Sequence, residues 1–123
     1  MIATMKSSSM EPTASCQHST LEPPTLTVDT QQLTVAARMC HAMSDPARLR
    51  LLLRLVEKER CVSELVAHEA AKLSSVSARL QTLYAAGLVS RRREAKHIYY
   101  ALADEHVHIL LRNVLSHAAE ATP

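Results

Sequence analysis

The sequence predicts a mainly α-helical domain carrying one small β-hairpin, and three observations lead there. Apolar residues recur at helical spacing in four successive segments between Asp29 and Ala86. Gly87, the only glycine of the 123 residues, separates the last of these from two strand-like runs. A further helix-length segment, from Asp104 to Glu120, follows the second run.

The first helix runs from near Asp29 to Met43, with Leu33, Ala36, Ala37 and Cys40 one turn apart on its inner face. Ser44-Asp45-Pro46 punctuates it. Asp45 caps a second helix whose first residue is Pro46, where a missing N–H costs nothing, and Leu49, Leu52, Leu53 and Val56 form its expected buried stripe. A short third helix after Cys61 turns Val62, Leu65 and Val66 inward, and residues 72–75 make the turn into a fourth. Ser74 or Ser75 is the expected cap of that fourth helix, Val76, Leu80, Leu83 and Tyr84 its core face, and Gly87 its stop. Residues 88–93 and 97–102 then favour strand, with Glu94-Ala95-Lys96 as the connecting turn.

Four helices, a hairpin and a final helix make a winged helix-turn-helix, whose second motif helix enters the major groove of DNA while the hairpin reaches the backbone or minor groove. Ser74, Ser75, Ser77, Arg79 and Gln81 lie on the exposed side of that helix without an acid among them. Arg79 can contact guanine, Gln81 can read adenine, and the serines can hold phosphates or base edges. On the hairpin, Arg91, Arg92, Arg93 and Lys96 supply sequence-independent attraction to phosphate. From Lys72 to His97 six Lys or Arg face one acid, giving +5 within a chain of net charge +2. Each residue alone reads equally well as ordinary solvated surface, and it is their joint placement that points to double-stranded DNA.

The last segment carries metal-type side chains in two pairs, Asp104 with His106 and His117 with Glu120. At ~1.5 Å per residue the two histidines stand about 16 Å apart along a helix, so one chain cannot close both pairs on one ion. Two copies packed antiparallel across a two-fold axis would bring the first pair of one beside the second pair of the other. This predicts a homodimer with two equivalent intersubunit sites, joined through an apolar stripe of Val107, Leu110, Leu111, Val114 and Leu115. Two imidazoles and two carboxylates suit tetrahedral Zn(II), with Co(II) as a substitute. The bland alternative is a set of solvated helix-end charges with Asp104 as N-cap, and His108 is an alternative ligand.

Residues 1–25, rich in Ser, Thr and Pro, read as a flexible arm, and residues 26–121 as one domain. The arm is too polar for a secretory signal, and no apolar run reaches the ~18 residues of a membrane span, which points to a soluble, cytoplasmic protein without a membrane partner. Three cysteines without CxxC spacing, Cys16, Cys40 and Cys61, argue for reduced thiols or metal ligands. Catalysis lacks a nucleophile, a general base or a phosphate-cradling loop, so an enzyme is not expected.

Several stretches resemble the ArsR/SmtB metal-sensing repressors, most closely the zinc-responsive SmtB type, over roughly residues 30–120. They are Ser44-Asp45-Pro46-Ala47-Arg48-Leu49-Arg50-Leu51-Leu52, Cys61-Val62-Ser63-Glu64-Leu65, Val76-Ser77-Ala78-Arg79-Leu80, Ala86-Gly87-Leu88-Val89 and His97-Ile98-Tyr99-Tyr100-Ala101-Leu102, with the Asp-x-His and His-x-x-Glu pairs. The resemblance implies a homodimer on a palindromic operator, released by metal to derepress efflux or sequestration genes, with Asp104, His106, His117 and Glu120 as the regulatory site. It also implies a bond from the metal-bound His117 towards the backbone near Gly87, and a second site in which Cys16 and His18 of one subunit's arm meet Cys61 and Glu64 of the other. A thiolate site favours Cd(II), Pb(II) or Cu(I) as well as zinc. Some relatives sense arsenite or oxidants through cysteines, but Cys40 lacks a partner cysteine in the last helix and reads as core packing. The chain departs from the family pattern at Glu69-Ala70-Ala71-Lys72-Leu73, where a glycine is usual, at Ala78, where a histidine is frequent, and at Ala95-Lys96, where Gly-Arg is common.

Overall fold

The computed structural model describes residues 27–123, so the expected arm, with Cys16 and His18, lies outside the described residues. Five helices and three strands follow in the order α1 (Thr30–Ala42), α2 (Pro46–Glu57), β1 (Arg60–Cys61), α3 (Val62–Glu69), α4 (Leu73–Ala85), β2 (Val89–Glu94), β3 (His97–Leu102) and α5 (Glu105–Ala121). The class is as expected, with α3 and α4 as the helix-turn-helix and β2–β3 as the wing. The sheet has one strand more than the hairpin, because Arg60 and Cys61 pair with Tyr100 and Tyr99 and give the order β1-β3-β2.

Three helix starts are capped by aspartates, whose carboxylates satisfy backbone N–H groups that no turn of helix precedes. Asp29 accepts from Gln32 N at 2.7 Å, Asp45 from Arg48 N at 3.0 Å and Asp104 from Val107 N at 3.1 Å. Arg48 also closes the end of α1, its Nε donating to Ala42 O at 2.7 Å. The core gathers Leu51, Leu52 and Leu55 of α2, Leu65 of α3, Val76, Leu80 and Leu83 of α4, and Val107 and Leu111 of α5 around Leu88 and Tyr100.

The helices of the expected core are rotated or displaced at several positions. In α2 the leucines at 49, 51, 52, 53 and 55 allow more than one helical stripe, and the buried one is Leu51, Leu52 and Leu55, leaving Leu53 exposed. Only the end of α1 meets the core, through buried Ala42 and half-buried Met39 and Met43, so Leu33, Ala36 and Ala37 are exposed. Cys40 is therefore exposed and not a core-packing residue. Helix α4 begins at Leu73, with Lys72 as its extended N-cap, so Ser74 and Ser75 lie inside the first turn and cap nothing. Tyr84 is exposed beside the buried face, where its ring supports Arg91.

Two junctions need left-handed backbone. After α4, Gly87 has φ 79°, Gly87 N donates to Tyr84 O at 3.0 Å and Leu88 N to Leu83 O at 3.0 Å, a Schellman turn that ends the helix. In the helix-turn-helix turn the conformation falls on Ala70, at φ 49°, where an L-residue is strained by its Cβ. The side chain of the neighbouring Glu69 is 3% exposed and accepts from Arg50 Nε and Arg54 Nε, each at 3.1 Å. Burial alone would raise the Glu69 carboxyl, but the two guanidinium groups outweigh it and hold it below the usual carboxylate range. This pins the end of α3 to α2.

Gly87→Ala should lower stability by about 1–2 kcal/mol, because no contact lies near its Cβ position and only the backbone strain acts, whereas Ala70→Gly should raise it. Urea titrations of both variants give the opposite signs directly. Because the folded Glu69 carboxyl is depressed, its stabilisation is full above the unfolded carboxylate range and is lost as pH falls through the folded value. Glu69→Gln should cost roughly 1–3 kcal/mol at neutral pH, and the gap to wild type should narrow below about pH 4. An equal gap at pH 7 and pH 3 would refute the ion-pair account.

Candidate nucleic-acid interface and metal-ligand pairs

Helix α4 turns Val76, Leu80 and Leu83 into the core, so at ~100° per residue the side facing away carries Ser74, Ala78 and Gln81. Ser77 and Tyr84 fall on one flank, Ser75 and Arg79 on the other, and Ser75, Ser77 and Arg79 are half-buried. The five polar residues expected to face DNA thus share one helix without sharing one face. Ser74 and Gln81 are central.

The wing divides its arginines by strand alternation. Arg91 lies with its guanidinium carbon 3.9 Å from the Tyr84 ring centroid, tying β2 to the end of α4. Arg92 points to the other face, where it donates to both Glu59 oxygens at 2.8 and 2.7 Å, to Glu94 at 2.5 Å, and stacks 4.6 Å from the Tyr99 ring centroid. The Arg92 hydrogen bond holds the Glu59 carboxyl below its ordinary range. Two carboxylates thus compensate the charge expected to attract phosphate, and Arg92 fastens the wing to the loop before β1. Arg93 and Lys96 are exposed and form no ion pair among the described residues. Ala95 takes the left-handed conformation at the wing tip, at φ 56°. Neither Glu59 nor Glu69 was marked by any motif, since each matters through a partner distant in sequence.

The metal-type residues of α5 stand as two exposed pairs at opposite ends of the 17-residue helix. His106 Nδ1 lies 3.7 Å from Asp104 Oδ1, and His117 Nδ1 lies 3.9 Å from Glu120 Oε1. Asp104 is also the N-cap, so one carboxylate oxygen is already an acceptor. No three His, Cys, Asp or Glu among the described residues cluster to hold an ion within one chain. As donor sets the pairs fit zinc, each offering one imidazole and one carboxylate with no Lys or Arg among the described residues at ion-pair distance. His108 sits apart, 3.8 Å from Glu105 on another flank. Asp104 and His106, rather than His117, line a recess with Gly87, Met39 and Leu110.

Cys61 is buried at the N-cap of α3, with Sγ 3.1 Å from Ser63 Oγ, and its N–H donates to Glu64 Oε1 at 3.0 Å. That backbone bond leads in holding the Glu64 carboxyl below its ordinary range. Cys61 and Glu64 are therefore neighbours, as the implied second site requires, while Cys16 and His18 fall outside the described residues.

Residues 45–91 match the family model described as bacterial regulatory protein, arsR family. The chain is 38% identical over 101 residues to a transcriptional repressor SmtB homolog of Synechocystis, covering 82% of this chain and 75% of that one. It is 35% identical over 88 residues to the HTH-type transcriptional repressor SmtB of Mycobacterium tuberculosis, covering 72% of this chain and 65% of the other. Among solved structures, the homodimeric winged helix-turn-helix DNA-binding domain of a possible ArsR-family regulator from Mycobacterium bovis superposes with a TM-score of 0.73 at 32% identity, covering 81% of this chain and 94% of that one. No helix among the described residues is long and apolar enough to cross a membrane.

The wing geometry separates two arginines that look alike in sequence. Arg92→Gln should lower the thermal unfolding midpoint by releasing Glu59, Glu94 and Tyr99, while Arg93→Gln should leave it unchanged. Calorimetric melts of the two variants side by side would show the difference, and equal midpoints would remove Arg92 from its bracing role.

Proposed function

This chain belongs to the ArsR family of bacterial regulatory proteins, a transcriptional regulator and not an enzyme, and from that premise we propose that it is a homodimeric, Zn(II)-responsive repressor. In this reading it holds double-stranded operator DNA in the metal-free state and leaves it when zinc binds, derepressing efflux or sequestration genes in the cytoplasm. The observation that carries the proposal is the pair of ligand sets at the two ends of α5. Along one flank of that helix His106, Leu110, Val114 and His117 follow one another, and Ile109, Leu110 and Val114 are exposed apolar residues. A helix that leaves such residues uncovered next to two incomplete donor sets suits pairing with its own copy. The exposed Leu33 and Val35 of α1 extend the apolar surface.

Asp104 and His106 of one protomer with His117 and Glu120 of the other would then hold the ion. The metal would supply a fixed positive charge that draws these side chains into one arrangement. The chain itself connects that end of α5 to the DNA side. Ala103 N, at the entrance to α5, donates to Leu88 O at 3.0 Å, and Leu88 N donates to Leu83 O of α4. If DNA and metal favour different settings of this connection, each lowers the affinity of the other by the same factor. DNA contact is proposed through Ser74, Ser75, Ser77, Arg79 and Gln81 of α4 and through Arg91, Arg93 and Lys96 of the wing, with Arg92 in its bracing place.

A second, softer site is part of the proposal because Cys61 and Glu64 are already adjacent. Completed by Cys16 and His18, it would admit Cd(II), Pb(II) or Cu(I), and Co(II) would replace zinc at α5.

The test is a fluorescence-anisotropy titration of a duplex from upstream of the chain's own gene, with and without zinc. Zinc should weaken wild-type binding roughly 5- to 150-fold, the usual range of allosteric coupling. His106→Ala and His117→Ala should bind DNA as tightly as the metal-free wild type and lose the zinc response, while Cys61→Ser should keep it. A zinc response lost only in Cys61→Ser would move regulation to the arm site, and tight duplex binding unaffected by any of these metals would sink metal sensing.

A further inference from the structure

We propose that the cleft between the start of α3, the recognition helix and the wing tip seats the sugar–phosphate backbone of DNA, with Ser63 and His97 as contacts beyond the two expected DNA elements. The proposal rests on the DNA-binding reading above and deepens it. Ser63 of α3, Ser77 of α4, Lys96 of the wing turn and His97 at the start of β3 line this one cleft, together with the apolar side chains of Leu73 and Ile98. Four polar side chains from four separate elements therefore converge where the sequence places 63 and 97 far apart.

Their chemistry is one-sided. Two hydroxyls, an ammonium and an imidazole can all donate hydrogen bonds, and no carboxylate among the described residues lines the cleft. The nearest acid in sequence, Glu64, is turned away to accept from Cys61 N. A recess with donors and no acid suits an anion, and an exposed Leu73 at its wall, 60% accessible, suits the apolar face of a deoxyribose more than a free ion. Ser63 Oγ is held 3.1 Å from Cys61 Sγ, so its position is set before DNA arrives. The cleft lies between Ser77 and Lys96, the first on the recognition helix and the second on the wing. A strand whose bases meet α4 and whose next phosphates meet the wing would pass over it.

Such contacts position the protein without reading sequence, which gives them a distinct signature. The experiment measures affinity of the full chain for a mixed-sequence 30-base-pair duplex over a salt series, with thermal melts of every variant. Ser63→Ala and His97→Ala should each weaken binding about five- to ten-fold, as expected for a lost hydrogen bond of ordinary net strength. Ser63→Thr, which keeps the hydroxyl, should restore it. Lys96→Gln should reduce the slope of log affinity against log salt by about one. The cleft is refuted if Ser63→Ala and His97→Ala, with unchanged melts, stay within two-fold of a wild type that binds the duplex. A wild type that binds no duplex even at low salt would instead bring down the DNA-binding reading, and the cleft with it.

Discussion

The backbone of Leu88 is the point on which the arrangement turns. Its N–H closes the end of α4 on Leu83 O, its carbonyl accepts from Ala103 N at the entrance to α5, and its side chain is fully buried. One residue thus joins the recognition helix, the first strand of the wing and the helix that carries the two His–carboxylate pairs. The junction requires Gly87 in the left-handed region just before it, since a helix continuing through that position would carry Leu88 and the wing away from the core. From there strand pairing sets the wing, with Val89 opposite Leu102 and Arg91 opposite Tyr100, and Asp104 starts α5 as soon as β3 ends.

Two hydrogen bonds around a fully buried Leu88 side chain thus tie the end of α4 to the entrance of α5. The recess beside it is lined by Gly87, Asp104 and His106, which places this His–carboxylate pair, rather than His117 of the same chain, next to the end of the recognition helix. The opposite pair, His117 and Glu120, sits at the free end of α5, where the surrounding residues are exposed. The two pairs are thus mechanically unequal within one protomer. In a two-fold pairing of α5 helices each site would take one half from a helix end anchored at Leu88 and one from a free end, so an ion would couple each anchored end to the partner's free end.

The sequence made the element order readable because its punctuation is strong: Asp45-Pro46, the lone Gly87 and Asp104 each have one good structural use. What it left ambiguous was rotation and partnership. Five leucines within α2 satisfy several helical stripes, and only the packing against α4 and β3 selects Leu51, Leu52 and Leu55. The α1 face with Leu33 and Cys40 has an amphipathic pattern, yet burial belongs to a surface and a single chain offers it none. Strand β1 escaped notice because two residues carry no period, and it exists only through Tyr99 and Tyr100. That each histidine of α5 stands beside a carboxylate was legible from spacing, whereas the fate of Arg92 was not, since Glu59 lies 33 residues away.

The wing shows why net charge along a sequence is a poor guide to the field that DNA meets. Three consecutive arginines contribute +3 on paper, but strand alternation sends the middle one to the opposite face, where Glu59 and Glu94 together carry more negative charge than it brings. Arg91 spends its guanidinium face on Tyr84, which steadies the contact between wing and recognition helix while leaving its charge in place. Among the described residues Arg91, Arg93 and Lys96 pair with no carboxylate, and of these Arg93 and Lys96 stand nearest the wing tip. The attractive field is therefore concentrated at the tip and the cleft behind it, and the base of the wing is nearly neutral. A wing built this way is stiffened by the same alternation that limits its charge, so its tip can approach a phosphate backbone with its geometry already set.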